Sequence, residues 1–255
     1  MSRLYHIKLG KSMIQGATIV LLPGDPFRSP LIGEAIAKSY GGESRELAWN
    51  REYRTHIACI KGVNVLITST GIGGPSTSIA VDELAQLGVE TFIRVGTTGA
   101  IRKGISIGDV IITTGAVRLD GASTHYAPIE YPAVAHHEVI NGLIAGAERT
   151  GVRYHVGVTA SSDTFYPGEE RSDSFRRYTI RKLRGSTEEW RNLHVLNYEM
   201  ESATLLTLTA SMGLRGGAIT GVVNMAGGRP ITKRELIYGE GNVIKTVVAA
   251  VEALL

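Results

Sequence analysis

At 255 residues the chain is long enough to bury a sizeable core, and neither a Pro/Ser-rich linker nor an internal repeat divides it, so one domain spanning 1–255 is expected. A hydrophobic share of 43% with 31 glycines excludes a disordered or fibrous chain and suits an α/β protein with many tight turns. The net charge of +3 is too small and too dispersed for a nucleic-acid-binding surface, although a small anionic substrate needs only a few local arginines.

No run approaches the roughly 18 apolar residues of a membrane span, and residues 1–11 lack the apolar core of a secretion signal. Cys59 is the only cysteine, which rules out an internal disulfide or a cysteine metal cluster. It reads as a small buried hydrophobe on a strand, and a reducing cytoplasm is the expected compartment.

In chain order, a β-branched run at 17–22 predicts a strand, followed by a turn and an amphipathic helix over 29–40. A second strand over 63–70 leads through a glycine loop into a helix over 76–87. Strands follow at 91–95 and 110–116, a helix over 132–150, and a strand at 156–161. The stretch 168–190, charged and rich in Ser and Arg, has no regular period. A helix over 202–212 and a strand over 217–224 precede a second irregular stretch, 227–242, and a final helix over 242–255. Alternation of this kind predicts a sheet with helices on both faces, and long irregular loops in such folds often serve as lids.

Four constellations carry chemistry. Pro23-Gly24-Asp25-Pro26-Phe27-Arg28 follows the first strand, where a glycine turn frees backbone N–H groups and Arg28 adds a fork of charged donors for an oxyanion. The same residues are also ordinary turn chemistry. Thr70-Gly71-Ile72-Gly73-Gly74-Pro75-Ser76 joins a strand to a helix with spacing that fits neither the dinucleotide fingerprint nor the P-loop. Arg94-Val95-Gly96-Thr97-Thr98-Gly99-Ala100 offers a strand-end arginine and two hydroxyls to one small anion, or else Arg94 pairs structurally with a carboxylate. In Asn197-Tyr198-Glu199-Met200-Glu201-Ser202 the two carboxylates either satisfy the following helix dipole or accept the hydroxyls of a ribose cis-diol.

Together with Arg51 and the segments 117–123 and 161–168, these motifs occur in the order found in bacterial uridine phosphorylases, and the chain resembles that family over nearly its whole length. The resemblance implies a three-layer α/β sandwich around a mixed, partly closed sheet. It implies phosphorolysis of a nucleoside, uridine first, giving the free base and α-ribose 1-phosphate, with inorganic phosphate as a substrate and no cofactor. Phosphate would be held by Gly24, Arg28, Arg94 and Thr97, with Arg51 reaching in from a neighbouring subunit. Glu201 and Met200 would hold the ribose, and His6 of the neighbour its 5′-hydroxyl. Arg28, Arg94 and Glu201 would thus carry the chemistry. The family also implies a structural potassium ion at Glu52, Ile72 and Ser76, and a hexamer built from dimers.

The base pocket departs from the pattern. Family members read Phe-Tyr-Pro-Gly-Gln-x-Arg, whereas this chain has Phe165-Tyr166-Pro167-Gly168-Glu169-Glu170-Arg171, keeping Phe165 and Arg171 but placing Glu169 where an amide stands. An amide both donates and accepts; an ionised carboxylate only accepts, so Glu169 repels a uracil carbonyl unless burial raises its pKa. After the last strand the family continues Asn-Arg-Thr where this chain has Asn224-Met225-Ala226, leaving Arg229 as the substitute donor. Three alternatives to uridine phosphorolysis follow: a shifted base preference, a related purine nucleoside phosphorylase with Asn224 near the base, and a nucleoside- or phosphate-binding protein without turnover. Water as nucleophile is disfavoured by the retained arginines.

Overall fold

The computed structural model describes residues 3–226 and 230–255. Its elements run β1 (Ile19–Pro23), α1 (Arg28–Tyr40), β2 (Arg45–Asn50), β3 (Tyr53–Ile60), β4 (Val63–Thr68), α2 (Gly74–Leu87), β5 (Thr91–Ala100), β6 (Val110–Leu119), β7 (Ala133–Val134) and α3 (His137–Thr150). They continue with β8 (Tyr154–Ser162), α4 (Ser186–Asn192), β9 (Asn197–Glu199), α5 (Ser202–Ser211), β10 (Arg215–Met225) and α6 (Lys233–Glu252). The strands form one mixed sheet ordered β10-β6-β8-β9-β5-β1-β4-β3-β2, with β7 on β6. Because β10 also pairs with β5, the strands β5, β10, β6, β8 and β9 close into a ring, and β1, β4, β3 and β2 extend from it as an open wing.

Period-two alternation sorts the sheet's side chains into two cores. Ile19 and Leu21 of β1 face Ile32 and Ile36 of α1, together with Val139 and Leu143 of α3 and Val243, Val247 and Val251 of α6. Val20 and Leu22 point the other way, toward Val81 and Leu84 of α2 and Leu205, Leu206 and Leu208 of α5. The chain before β1 adds Ile7, Leu9 and Ile14 to this second core. The expected three-layer sandwich with a partly closed sheet is therefore present.

Several expected boundaries need correction. The hairpin β2–β3 was not expected: β2 is a charged edge strand, and β3 buries Thr55 and His56, which hides its alternation. Residues 132–136 are not helical; β7 lies there, and α3 starts after His136 in extended conformation. The stretch 227–242 is largely not a loop. Helix α6 starts at Lys233 with a capping box between Thr232 and Glu235, and its polar first turns masked the helical period. Within 168–190, a 3-10 turn at Arg181–Leu183 and the start of α4 are regular. Cys59 lies on β3 as expected but is partly exposed rather than buried.

Helices α3 and α6 touch closely at Gly146, where an added Cβ would sit 2.6 Å from the Thr246 carbonyl oxygen and 2.8 Å from Ala250 Cα. Valine there gains a few tenths of a kcal/mol in helix propensity over glycine, against an overpacking cost of about 1–3 kcal/mol. Overpacking is the larger effect. Gly146→Val is expected to lower the urea midpoint of unfolding with an unchanged m-value; an unaltered midpoint would show that the two helices separate freely.

Candidate active site

The site is made by a change of partner along β5. Residues Thr91 to Val95 pair with β1 on one edge, whereas Gly99 and Ala100 pair with β9 on that same side of the ring. The hand-over across residues 96–98 makes the C-terminal ends of β1 and β5 a switch point, the place where open α/β sheets hold ligands in a crevice. Arg94 to Ala100, expected as a strand end and loop, is thus strand throughout, held by β10 along its other edge.

Arg94 is buried at the mouth of this crevice. Its Nη1 donates to Thr70 Oγ1 at 2.9 Å and to the Leu22 carbonyl at 3.3 Å, and its Nη2 donates to Glu201 Oε2 at 2.5 Å. Glu201 Oε1 accepts from the Gly73 backbone N–H at 2.7 Å, so both pairing glycine-loop and arginine fix the carboxylate. Gly24 is required here because a Cβ would lie 3.0 Å from Arg94 Nη2 and 3.2 Å from the Gly71 carbonyl oxygen. Arg94 Nε is buried without a partner among the described residues.

The two carboxylates of the 197–202 motif divide the alternatives between them. Glu199 Oε2 accepts from the N–H groups of Glu201 and Ser202 at 2.9 and 2.8 Å and so satisfies the start of α5, while Glu201 turns into the crevice. Burial, followed by the charge of Glu201, raises the pKa of Glu199. Asp120 supports the same helix: it accepts from the N–H and hydroxyl of Ser123 and, at 2.6 Å, from Thr204. That is the structural content of the 117–123 motif.

Arg28 opens α1 beside the same crevice, buried, and donates through Nη1 to the Val95 carbonyl at 3.3 Å. Its Nε and Nη2 both donate to Glu240 Oε1 of α6, the first at 3.1 Å. Glu240 was missed in the sequence because it lies in a stretch read as irregular and no local pattern links it to Arg28. Thr97 is half-buried on β5, opposite Gly221 of β10, and Met200 is half-buried between Glu199 and Glu201.

The expected base-reading residues assemble on the loop after β8. Arg171 lies over the Phe165 ring at 4.4 Å and pairs with Asp173 through two hydrogen bonds of 3.0 and 2.7 Å. Glu169 is 8% exposed, and its carboxyl has no hydrogen-bond partner among the described residues. Its pKa is raised to about 7 by burial, opposed by Arg171 and reinforced by Glu199 and Glu201. Neighbouring Glu170 accepts from the N–H groups of Gly185 and Thr187, pinning the loop to the start of α4. Met225 is half-buried and packs on a cluster of Ala100, Ile105, Ile111, Leu196 and Val222. Arg229 lies outside the described residues.

The two residues assigned to a neighbour's site lie on the β2–β3 hairpin and in the segment before β1. Arg51 sits at the tip of the β2–β3 hairpin, exposed, with φ +54°. His6 is held on the surface of α2: Glu83 accepts from the N–H of His6 and Ile7 and meets His6 Nδ1 at 2.7 Å. Of the residues expected to hold potassium, Ser76 Oγ donates to the Ile72 carbonyl at 3.3 Å, and Glu52 abuts Gly71.

The strand switch point thus brings together two buried arginines, a fixed carboxylate and a separate aromatic loop. The chain belongs to the phosphorylase superfamily, whose profile matches residues 18–255. It is 50% identical to a uridine phosphorylase of Escherichia coli strain K12 over 255 residues, covering 100% of this chain and 99% of that one. A uridine phosphorylase of Thermococcus kodakarensis is 51% identical over 218 residues, 86% of this chain and 76% of the relative. A guanosine phosphorylase of Halorubrum lacusprofundi is 38% identical over 201 residues, 79% of this chain and 76% of the relative. No helix among the described residues is long and apolar enough to cross a membrane.

Burial raises the Glu83 pKa, but hydrogen bonds from Ile7 and His6 outweigh it and hold the group below its ordinary value. The stability this gives is therefore present above the unfolded-state pKa and lost as pH falls through the lower folded value. Glu83→Ala is expected to release the segment bearing His6, seen as loss of hydrogen-exchange protection at the amides of His6 and Ile7 with the core unaffected. Retained protection at those amides would contradict this anchoring.

Proposed function

We propose that the protein is a uridine phosphorylase, converting uridine and inorganic phosphate to uracil and α-ribose 1-phosphate. The observation that carries this reading is the Arg94–Glu201 pair in the strand-switch crevice, which sets an oxyanion site and a diol acceptor side by side. Full-length similarity to proteins named uridine phosphorylase supplies the base.

In the proposed reaction a phosphate oxygen, oriented by Gly24, Arg28, Arg94 and Thr97, attacks C1′ from the face opposite uracil. The C1′–N1 electron pair leaves with the base, which takes a proton from solvent. Glu201 and Met200 hold the ribose, and the carboxylate and phosphate charges stabilise oxocarbenium character as the bond breaks. Because phosphate is the nucleophile, the reaction needs neither a covalent enzyme intermediate nor an organic cofactor.

The chain acts in this reading as one domain, in a homo-oligomer, a hexamer of three dimers, in which Arg51 and His6 serve the adjoining subunit. The exposed Phe27, Trp49 and Ile72 support a covered face here: Phe27 stacks edge-on against Trp49 at 5.8 Å, beside the hairpin that carries Arg51. Hard oxygen donors at Glu52, Ile72 and Ser76 suit an alkali cation such as potassium at that face, in a structural role. A cytoplasmic place in pyrimidine nucleoside salvage accords with this chemistry.

Purified protein is expected to release uracil and ribose 1-phosphate from uridine only when phosphate is supplied, with cytidine, inosine and guanosine as comparisons. Phosphate-independent release at the same rate would overturn the reading. Glu201→Gln is expected to lower kcat/KM for uridine by about 10²–10³-fold, the range for removing one preorganised electrostatic group. An undiminished rate would remove Glu201 from the mechanism.

A further inference from the structure

We infer that Glu169 reads uracil as a neutral carboxylic acid, its O–H donating to a ring carbonyl while its C=O accepts from the adjacent ring N–H. The inference rests on the uridine phosphorylase reading and assigns this chain's own solution to base selection.

The geometry leaves the side chain little alternative. Glu169 is buried, has no hydrogen-bond partner among the described residues, and lies on the loop that presents Phe165 and Arg171. A carboxyl with no protein partner is left to water or a ligand, and in so buried a residue an ionised one also needs a cation. The cation at hand is already committed, since Arg171 holds Asp173 in a two-pronged pair and covers the Phe165 ring. Among the described residues the other charges that act on Glu169 are acidic: Glu199 from β9 and Glu201 from the head of α5 both oppose its ionisation, and Tyr198 of β9 adds a phenol, not a positive charge. The carboxyl is accordingly held up to about 7, chiefly by burial.

Chemically, a neutral carboxyl offers the same pair of functions as an amide: one donor and one acceptor on a planar carbon. Uracil presents a ring N–H flanked by carbonyls, so the acid closes a two-bond ring with an N–H and a neighbouring C=O. An ionised Glu169 would keep the bond from N–H but set a negative oxygen against the carbonyl. Recognition then requires the proton, and binding of uracil above pH 7 must draw one from solvent. A cytosine ring, with an amino group beside an unprotonated nitrogen, reverses the donor–acceptor order, and a neutral carboxyl turned over matches that order too.

The test compares wild-type protein with Glu169→Gln, which carries the donor and acceptor without a titrating proton. The ratio of their kcat/KM values for uridine cancels the ionisation of phosphate itself. It is expected to be near constant below pH 6 and to rise in favour of the variant by about tenfold per pH unit above 7. A second measurement needs no variant: calorimetry of uracil binding to wild-type protein at pH 8, in buffers of differing ionisation enthalpy, is expected to show net proton uptake that is absent at pH 5.5. Parallel pH profiles with no proton uptake would overturn the inference while leaving uridine phosphorolysis intact. No phosphate-dependent uracil release from either protein at any pH would instead overturn the uridine reading on which it rests.

Discussion

The buried pair of Arg94 and Glu201 is the constraint around which this molecule is arranged. Both side chains are almost wholly withdrawn from solvent, where desolvation offsets most of their attraction, so the pair is poor evidence of stability for its own sake. Losing either member would leave the other buried without its countercharge, at about 3–5 kcal/mol. What the pair supplies is position. It needs β5 to leave β1 just past Arg94, Gly24 to stay small, and Glu199 to satisfy the helix amides so that Glu201 is free to turn inward.

The closed ring follows from the same requirement. Strand β5 would end at Val95 if β1 were its only neighbour, but β10 accompanies it as far as Ala100 and β9 takes up the vacated edge. Thr98 and Asn197 secure that exchange with buried bonds: Asn197 donates to Thr98 Oγ1 at 2.8 Å and accepts from Thr159 at 2.9 Å. The polar residues that make the 94–100 segment look like a loop in sequence are the ones that hold it as strand.

This explains which parts of the molecule were legible. The ends of β1, β4 and β5 stand out because apolar runs stop abruptly at glycine, arginine and hydroxyl residues, and those stops are where the crevice lies. The resemblance to known phosphorylases rested on these same stops, and the family profile bears it out. The β2–β3 hairpin was illegible because an edge strand exposed to water needs no apolar face, and β3 buries Thr55 and His56. Helix α6 was half legible: Val243, Val247 and Val251 announce its buried end, whereas its beginning rests on a cap that only Thr232 and Glu235 mark. Glu240 carried no signal because its partner, Arg28, is distant in sequence and adjacent only once α6 lies across the sheet.

The ion pairs of the crevice have a consequence for how it can fill. Among the described residues each guanidinium there already has a carboxylate: Glu201 on Arg94, Glu240 on Arg28 and Asp173 on Arg171. Electrically the pocket is fully subscribed before any substrate arrives, and a dianion entering it finds attraction in each arginine matched by repulsion from that arginine's partner. Surplus positive charge has to come from elsewhere, and Arg51 stands exposed on its hairpin. In the oligomer proposed above, assembly becomes a loan of charge between subunits, so that quaternary structure decides whether the anion is welcome at all.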